Sequence, residues 1–335
     1  MSKGICVAGN MIADVLYPTE AWPNKGELVH ILDGITHTTG GAVCNVIVDL
    51  AKLDPSLPLY AVGKIGEDAE GDLILEKLRR HPNIDCSNVI REGISAHTLV
   101  INDVRTNERN FFTYLGANCK FDEDCGNWDN LRGDLFHIGY ILLLNALDRE
   151  DPEYGSKMAR LLHHAQQHGL KTSIDVVSET GDRFKKLVPP ALKYTDYCVI
   201  NELEAQQTTG IPLRDGEDRL IRKNIPAALK EMKRMGVSTW AVIHSPEGGF
   251  GLDEHDQFVS LNSLNLPEGY IKGTVGAGDA FCAGVLYGAE QGWTLAQSID
   301  MGIAAAAASL SEPDSTEGTC AAAEALKLIE RYGRR

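Results

Sequence analysis

Asp279 follows the turn Gly273-Thr274-Val275-Gly276-Ala277-Gly278 and precedes a segment in which Phe281, Val285, Leu286 and Ala289 supply an apolar stripe at helical spacing. Glycines at that density make a poor strand and a poor isolated helix, and they suit a turn where backbone comes close to something. The turn therefore empties into a helix N-terminus, whose free N–H groups and dipole favour an anion. Asp279 places a carboxylate beside an anion site, and a structural helix start explains an Asp there equally well, because Asp is a preferred capping residue. A second group, Asn201-Glu202-Leu203-Glu204, ends the apolar run Tyr197-Cys198-Val199-Ile200. Such a run reads as a buried strand, and open α/β sheets bind ligands at the C-terminal edge of their strands. Two carboxylates and an amide there can cap the next helix.

Several elements must position these groups. Ile5-Cys6-Val7-Ala8-Gly9-Asn10 reads as a buried first strand, followed by Asp14 and by an irregular stretch with excursion strands expected around Glu27 to Leu32. Thr38-Thr39-Gly40-Gly41 opens a helix with Val43, Val46, Ile47 and Leu50 on one face and Asn45, Asp49 and Lys52 on another. Leu59 to Gly63 reads as a second buried strand and 95–104 with 107–117 as a hairpin. From about 133 the pattern alternates regularly: a strand at Leu135 to Ile138, a helix over 152–168, a strand at Thr172 to Val177, the Tyr197 strand, a helix over 217–236 and a strand at Thr239 to Ile243. Alternation of this kind predicts right-handed βαβ units on a parallel sheet. Three helical segments follow Asp279, and Ala280, Gly284 and Gly288 recur every four residues as a narrow face for close helix packing. His164 and His168 have metal-ligand spacing on a helix, but no third ligand accompanies them, so a solvated face is expected.

The totals narrow the classes of function. A chain of 335 residues that is 43% hydrophobic can hold one large α/β domain or two smaller ones. A formal net charge of −15 argues against nucleic acid or an anionic membrane as the main partner. No apolar run approaches the ~20 residues that span a bilayer, and no signal peptide is visible. The eight cysteines are scattered without a Cys-x-x-Cys pair, which fits reduced thiols and a cytoplasmic location. There is neither a G-x-G-x-x-G after the first strand nor a G-x-x-x-x-G-K-[S/T], so a dinucleotide oxidoreductase and a P-loop kinase are disfavoured.

Gly276-Ala277-Gly278-Asp279 with Ala280-Phe281 resembles the C-terminal signature of the ribokinase-like, PfkB-type carbohydrate kinases. Gly63-Lys64-Ile65-Gly66-Glu67-Asp68-Ala69-Glu70-Gly71, the Gly40-Gly41 pair and Asn201-x-x-Glu204 resemble further family motifs in the expected order. The resemblance implies a ribokinase-like three-layer α/β/α domain over 1–335, with a mostly parallel sheet and a small β-sheet lid from segments near 14–37 and 95–117. It implies an ATP-dependent kinase acting on a hydroxymethyl group of a small, ribose- or fructose-like sugar. In that assignment Asp279 is the base, and Gly276, Ala277 and Gly278 form the anion hole. Asp14, Gly40, Gly41 and Asn45 bind the sugar, Gly248 and Asn201 bind nucleotide, and Glu204 organises Mg²⁺ through water. The linker 311–316 is expected beside the nucleotide pocket, and the lid is expected to form a homodimer. The chain departs from the pattern at Ala42, where ribokinase has Lys, and near Gly139, where ribokinase has a sugar-contacting Glu. It departs again at His244 to Gly249, in place of a T-x-G-x-x-G turn, and at Gly273, where an Asp often helps build a monovalent-cation site. Potassium activation is therefore left open. A nucleoside kinase is the first alternative, and a catalytically silent sugar-binding regulator is disfavoured by the intact Asp279, Asn201 and Glu204.

Overall fold

The computed structural model describes residues 4–106, 108–124, 128, 131–178 and 183–335. In chain order its strands are β1 (Ile5–Gly9), β2 (Ile12–Thr19), β3 (Thr36–Gly40), β4 (Leu59–Ile65), β5 (Ile84–Arg91), β6 (Ala96–Asp103), β7 (Glu108–Tyr114) and β8 (Leu135–Ile141). They continue as β9 (Glu150–Asp151), β10 (Gly155–Ser156), β11 (Lys171–Val176), β12 (Tyr197–Asn201), β13 (Trp240–Ser245), β14 (Gly248–Leu252) and β15 (Phe258–Asn262). The α-helices are α1 (Ala42–Leu53), α2 (Ala69–Arg79), α3 (Lys157–Gln167), α4 (Phe184–Leu192) and α5 (Glu202–Thr209). They are followed by α6 (Ile225–Met235), α7 (Ala277–Glu290), α8 (Leu295–Ser309) and α9 (Ala322–Tyr332).

Nine strands form one sheet in the order β15-β14-β13-β12-β11-β8-β1-β4-β5. Its pairs from β13 to β5 are parallel, and β14 and β15 add an antiparallel edge. The central strands are continuous apolar runs because helices cover both faces. Successive side chains of β1 show this: Ile5 and Val7 enter the core beneath α1, α7 and α8, whereas Cys6 and Ala8 enter the one beneath α3, α4 and α6. The narrow face of α7 packs closely on another helix, as expected, and that helix is α8. A Cβ on Gly284 would stand 2.6 Å from Met301 O.

A second, four-stranded sheet runs β3-β2-β6-β7. Asp68 ties it to the main body. Its carboxylate caps α2 through Gly71 N (2.9 Å) and accepts from Ser95 N (2.7 Å) and Ser95 Oγ (2.5 Å), one residue before β6. The excursion strands are thus β2 and β3; the stretch around Glu27 to Leu32 contributes only an isolated bridge, Thr19–Ile31. Pro23 and Gly26 before it and Gly34 after it interrupt a ladder there. Asp14 accordingly lies within a strand.

Other boundaries also moved. The helix expected over 152–168 begins at Lys157, because 149–156 first turns as the β9–β10 hairpin and Ser156 Oγ caps Ala159 N (3.2 Å). The helix expected from 217 begins at Ile225, because Arg214 and Leu220 pair in a bridge and Arg214 is held by Glu202 and Glu247. Strand β5 and helix α4 were not anticipated; Pro189 and Pro190 sit inside α4 and argued against a helix there. Asn107, in the expected hairpin connection, lies outside the described residues.

Candidate active site

Strands β8, β11, β12 and β13 end at the same edge of the sheet, and each delivers a polar residue there: Tyr140, Asp175, Asn201 and His244. Helix α7 brings Asp279 to them in its first turn. Gly276 caps α7 with φ 80°, and its backbone runs so close to the 311–318 loop that a Cβ would stand 2.4 Å from Ser315 O. The first bond of the helix is Ala280 N to Gly276 O (2.8 Å), so the Gly278 and Asp279 amides precede its own ladder. That is an anion-binding geometry with a carboxylate inside it.

Asp279 is 6% exposed. Tyr140 Oη donates to Asp279 Oδ1 (2.7 Å) and Oδ2 (2.9 Å), and Asn45 Nδ2 donates to Oδ2 (2.9 Å). Burial raises the carboxyl to about 6, and hydrogen bonding from Tyr140 and Asn45 opposes the rise. Asn45 is itself held by Ser315, whose Oγ donates to Asn45 Oδ1 (2.9 Å). The polar face of α1 is therefore buried against the 311–318 loop rather than solvated. Asp49 is fully buried there, and Lys52 Nζ donates to Thr316 O (2.7 Å).

Asp14 comes from β2. Burial lifts its carboxyl to about 6, the Thr98 hydroxyl opposes this, and Asp314 adds to it. Gly40 makes room for it, since a Cβ there would lie 2.3 Å from Asp14 Oδ2. Gly41 begins α1 at φ 86° against Asn10 O. The 311–316 linker reaches this side, with Thr38 Oγ1 donating to Asp314 Oδ2 (2.8 Å), and it starts directly after Leu310, which lines the apolar cleft described below.

Glu204 and Asn201 form a full capping box on α5: Asn201 Oδ1 accepts from Leu203 N and Glu204 N (2.9 Å each), and Glu204 Oε2 accepts from Asn201 N (2.9 Å). Glu204 Oε1 also accepts from Ser178 Oγ and Asn201 Nδ2 (2.7 Å each). Capping leaves the carboxylate lining a cleft of about 300 Å³ with Tyr140, Asp175, His244 and Asp279. Burial pushes Glu204 up to about 7; it pushes Asp175 well above its usual range, with the Glu204 and Asp279 charges adding. Such a set is short of positive charge.

A second cleft of about 390 Å³ shares Asn201, His244 and Gly278 with the first. It is mostly apolar, with Leu203, Pro246, Leu264, Ile271, Ala307 and Leu310 in its walls. Gly248 lines it as the first residue of β14, in a hairpin with β13. The structure therefore gathers Asp279, Gly276, Ala277, Gly278, Asn45, Asn201 and Glu204 at one sheet edge, with Asp14, Gly40 and Gly41 linked to them through the 311–318 loop. Sequence reasoning missed Tyr140, Asp175, Ser178, His244 and Ser315 as members of this constellation. Polar residues that end buried parallel strands were the available signal for Tyr140, Asp175 and His244. His164 and His168 stack edge to face at 4.6 Å and pack on Trp128, far along α3 from this edge.

A three-layer α/β/α body with a small four-stranded sheet, and a carboxylate in the amide mouth of its last long glycine-rich turn, describes a known class of phosphotransferase folds. Residues 2–321 match the model of the pfkB family carbohydrate kinases, and the chain belongs to that family. It is 26% identical over 311 residues to a ribokinase of Arabidopsis thaliana, covering 91% of this chain and 75% of that one. The structure of Arabidopsis ribokinase complexed with ribose and ATP superposes with a TM-score of 0.79 at 22% identity, over 98% of this chain and 99% of that one. A nucleoside kinase of Methanocaldococcus jannaschii shares the fold at TM-score 0.73 and 16% identity, over 98% and 99% of the two chains.

Proposed function

We propose that this family member transfers the γ-phosphoryl group of ATP to a hydroxymethyl group of a small sugar. The observation that carries this is the place of Asp279: a buried carboxylate at the α7 amides, between the Asp14–Asn45 side and the apolar cleft. The acceptor hydroxyl donates to Asp279 and gives up its proton there as its oxygen attacks the γ-phosphorus. The bond to the bridging oxygen breaks and ADP leaves. Amides of Gly276, Ala277 and Gly278 face the charge on the transferring group, and positioning of this kind supplies most of the catalysis in phosphoryl transfer. Asp14, Gly40, Gly41 and Asn45 hold the sugar. The base of ATP lies in the apolar cleft by Gly248, with Asn201 toward the phosphates. An ADP-release screen with ribose, fructose, other ketoses and nucleosides tests this; release with nucleosides alone replaces sugar by nucleoside as the acceptor.

The residues fit Mg²⁺. Asp175 and Glu204 are oxygen donors whose carboxyls are raised by burial and by neighbouring negative charge, a deficit a divalent cation relieves. Among the described residues no three acidic, His or Cys side chains close on one point, and Mg²⁺ characteristically keeps several waters, so Glu204 would hold it through water. When bound, the ion neutralises phosphate charge. Glu204→Gln is expected to raise the magnesium concentration for half-maximal rate severalfold; an unchanged titration in a folded variant leaves Glu204 with the cap alone.

The small sheet also suits a homodimer. Strand β7 is an edge strand exposed along its whole length, with Phe111, Phe112 and Tyr114 exposed and Trp22 stacked on Phe112 at 6.2 Å. Exposed aromatic edges are templates for pairing. Sedimentation velocity should show a dimer that Phe112→Lys converts to monomer; a monomeric parent at micromolar concentration ends this proposal.

A further inference from the structure

The acceptor side of the cleft continues onto the small sheet. Strand register places Thr38 of β3, Asp14 of β2, Thr98 of β6 and Thr113 of β7 in one row across all four strands. The row is joined chemically. Thr38 Oγ1 donates to Asp314 Oδ2 (2.8 Å), the Thr98 hydroxyl stands against Asp14, and Thr98 Oγ1 lies 3.2 Å from Thr113 Oγ1. Its face is the one turned to Asp279, because Asp314 adjoins Ser315, which bonds Asn45, which bonds Asp279. Side chains two residues apart share a face, so the next row is Thr36, Leu16, Val100 and Phe111, which is largely apolar.

The charge on this face is one-sided. Arg109 is the single basic residue that the four strands carry on it, and it sits four positions from Thr113, ~13 Å along the strand. Across the cleft stand Asp279, Asn45, Tyr140, Asp314 and Ser315, again without a basic group. Lys52 directs its ammonium to the carbonyls of Thr316 (2.7 Å) and Glu317 (3.3 Å). Hydroxyls both donate and accept, and a carboxylate accepts from ligand hydroxyls, so the row matches a polyol. A phosphate or carboxylate in the same place meets like charges, and among the described residues of the row and of the wall named opposite it no Lys or Arg stands beside it.

We propose that Thr98 and Thr113 extend the acceptor site into a hydroxyl row that selects an uncharged polyhydroxylated ligand and rejects phosphorylated or carboxylated ones. This rests on the kinase reading of the same site and adds to it the class of acceptor and two specificity-determining residues. The neighbouring apolar row covers the C–H face of such a ligand.

The test measures ligand-dependent thermal midpoints and ADP release with D-ribose, D-fructose, adenosine, fructose 6-phosphate and D-gluconate. Parent protein should respond to the uncharged probes and not to the last two. Loss of one neutral hydrogen bond in Thr98→Val should raise the acceptor KM about 3–10-fold, with kcat within threefold and the ATP constant unchanged. Thr113→Val should act in the same direction, and Thr98→Ser should restore parental behaviour. A preference for fructose 6-phosphate or gluconate overturns the inference while ADP release keeps the kinase assignment. Binding of uncharged probes that Thr98→Val weakens, with no ADP released from any acceptor, removes the kinase assignment and keeps the recognition row. No midpoint response to any uncharged probe, or a Thr98→Val variant that matches the parent, overturns the inference.

Discussion

Asp279→Asn is expected to lower turnover by about 10²–10⁴-fold while ATP and acceptor still bind, the usual cost of removing a positioned general base. The amide keeps the volume of the carboxylate and can still accept from Tyr140 and Asn45, so the hydrogen-bonded frame survives. In the proposed mechanism what disappears is the site for the acceptor proton. The same group sets a pH limit. Burial raises Asp279 to about 6, so it is a competent base above that value and is protonated below it. In the parent, kcat/KM should therefore fall as pH drops through about 6. Isothermal titration with ATP, beside steady-state rates, separates the two parts of the claim. Turnover within threefold of the parent would end the assignment of Asp279 as base.

The second large effect belongs to Asp14. A carboxylate accepting hydroxyl hydrogen bonds contributes through charge-assisted contacts worth ~1.5–3 kcal/mol, so Asp14→Ala should raise the sugar constant roughly 10–150-fold. The ATP constant should barely move, because the apolar cleft lies beyond Asn201 and Gly278, on the far side of Asp279. Independent variation of sugar and ATP reads this directly. A raised ATP constant with the sugar constant spared would reverse the orientation of the cleft. Gly40 supplies a check on the same geometry: a methyl group there would meet Asp14 Oδ2 at 2.3 Å and must displace it.

Much of this site could be read from the chain because it is local. The α7 mouth, the capping group Asn201-Glu202-Leu203-Glu204 and the paired glycines before α1 each lie within a few residues, where spacing carries geometry. The parallel sheet was legible for a similar reason, since buried strands alternating with amphipathic helices leave a periodic trace. The missed members depend on register and on long loops. Tyr140 reaches Asp279 across 139 residues and Ser315 reaches Asn45 across 270, and no local pattern announces either contact. Asn45, Asp49 and Lys52 could be placed on one helix face from the sequence, but its partner could not. Only the packing of the 311–318 loop over α1 shows that the face is covered. The polar row on the small sheet is hidden for another reason: Thr38, Asp14, Thr98 and Thr113 become neighbours only once four strands are aligned, and a shift of one residue would send them to the opposite face.

Asp279 is expected to drive transfer of a phosphoryl group from ATP to a hydroxymethyl group of an uncharged sugar. Phosphorus NMR of the products from ATP, Mg²⁺ and the best acceptor in the screen tests it most directly. The parent should convert the γ-phosphate resonance into a phosphomonoester coupled to two methylene protons, in step with ADP, and Asp279→Asn should leave ATP unchanged over the same interval. ADP matched by inorganic phosphate, or a phosphomonoester formed equally well by Asp279→Asn, would contradict it.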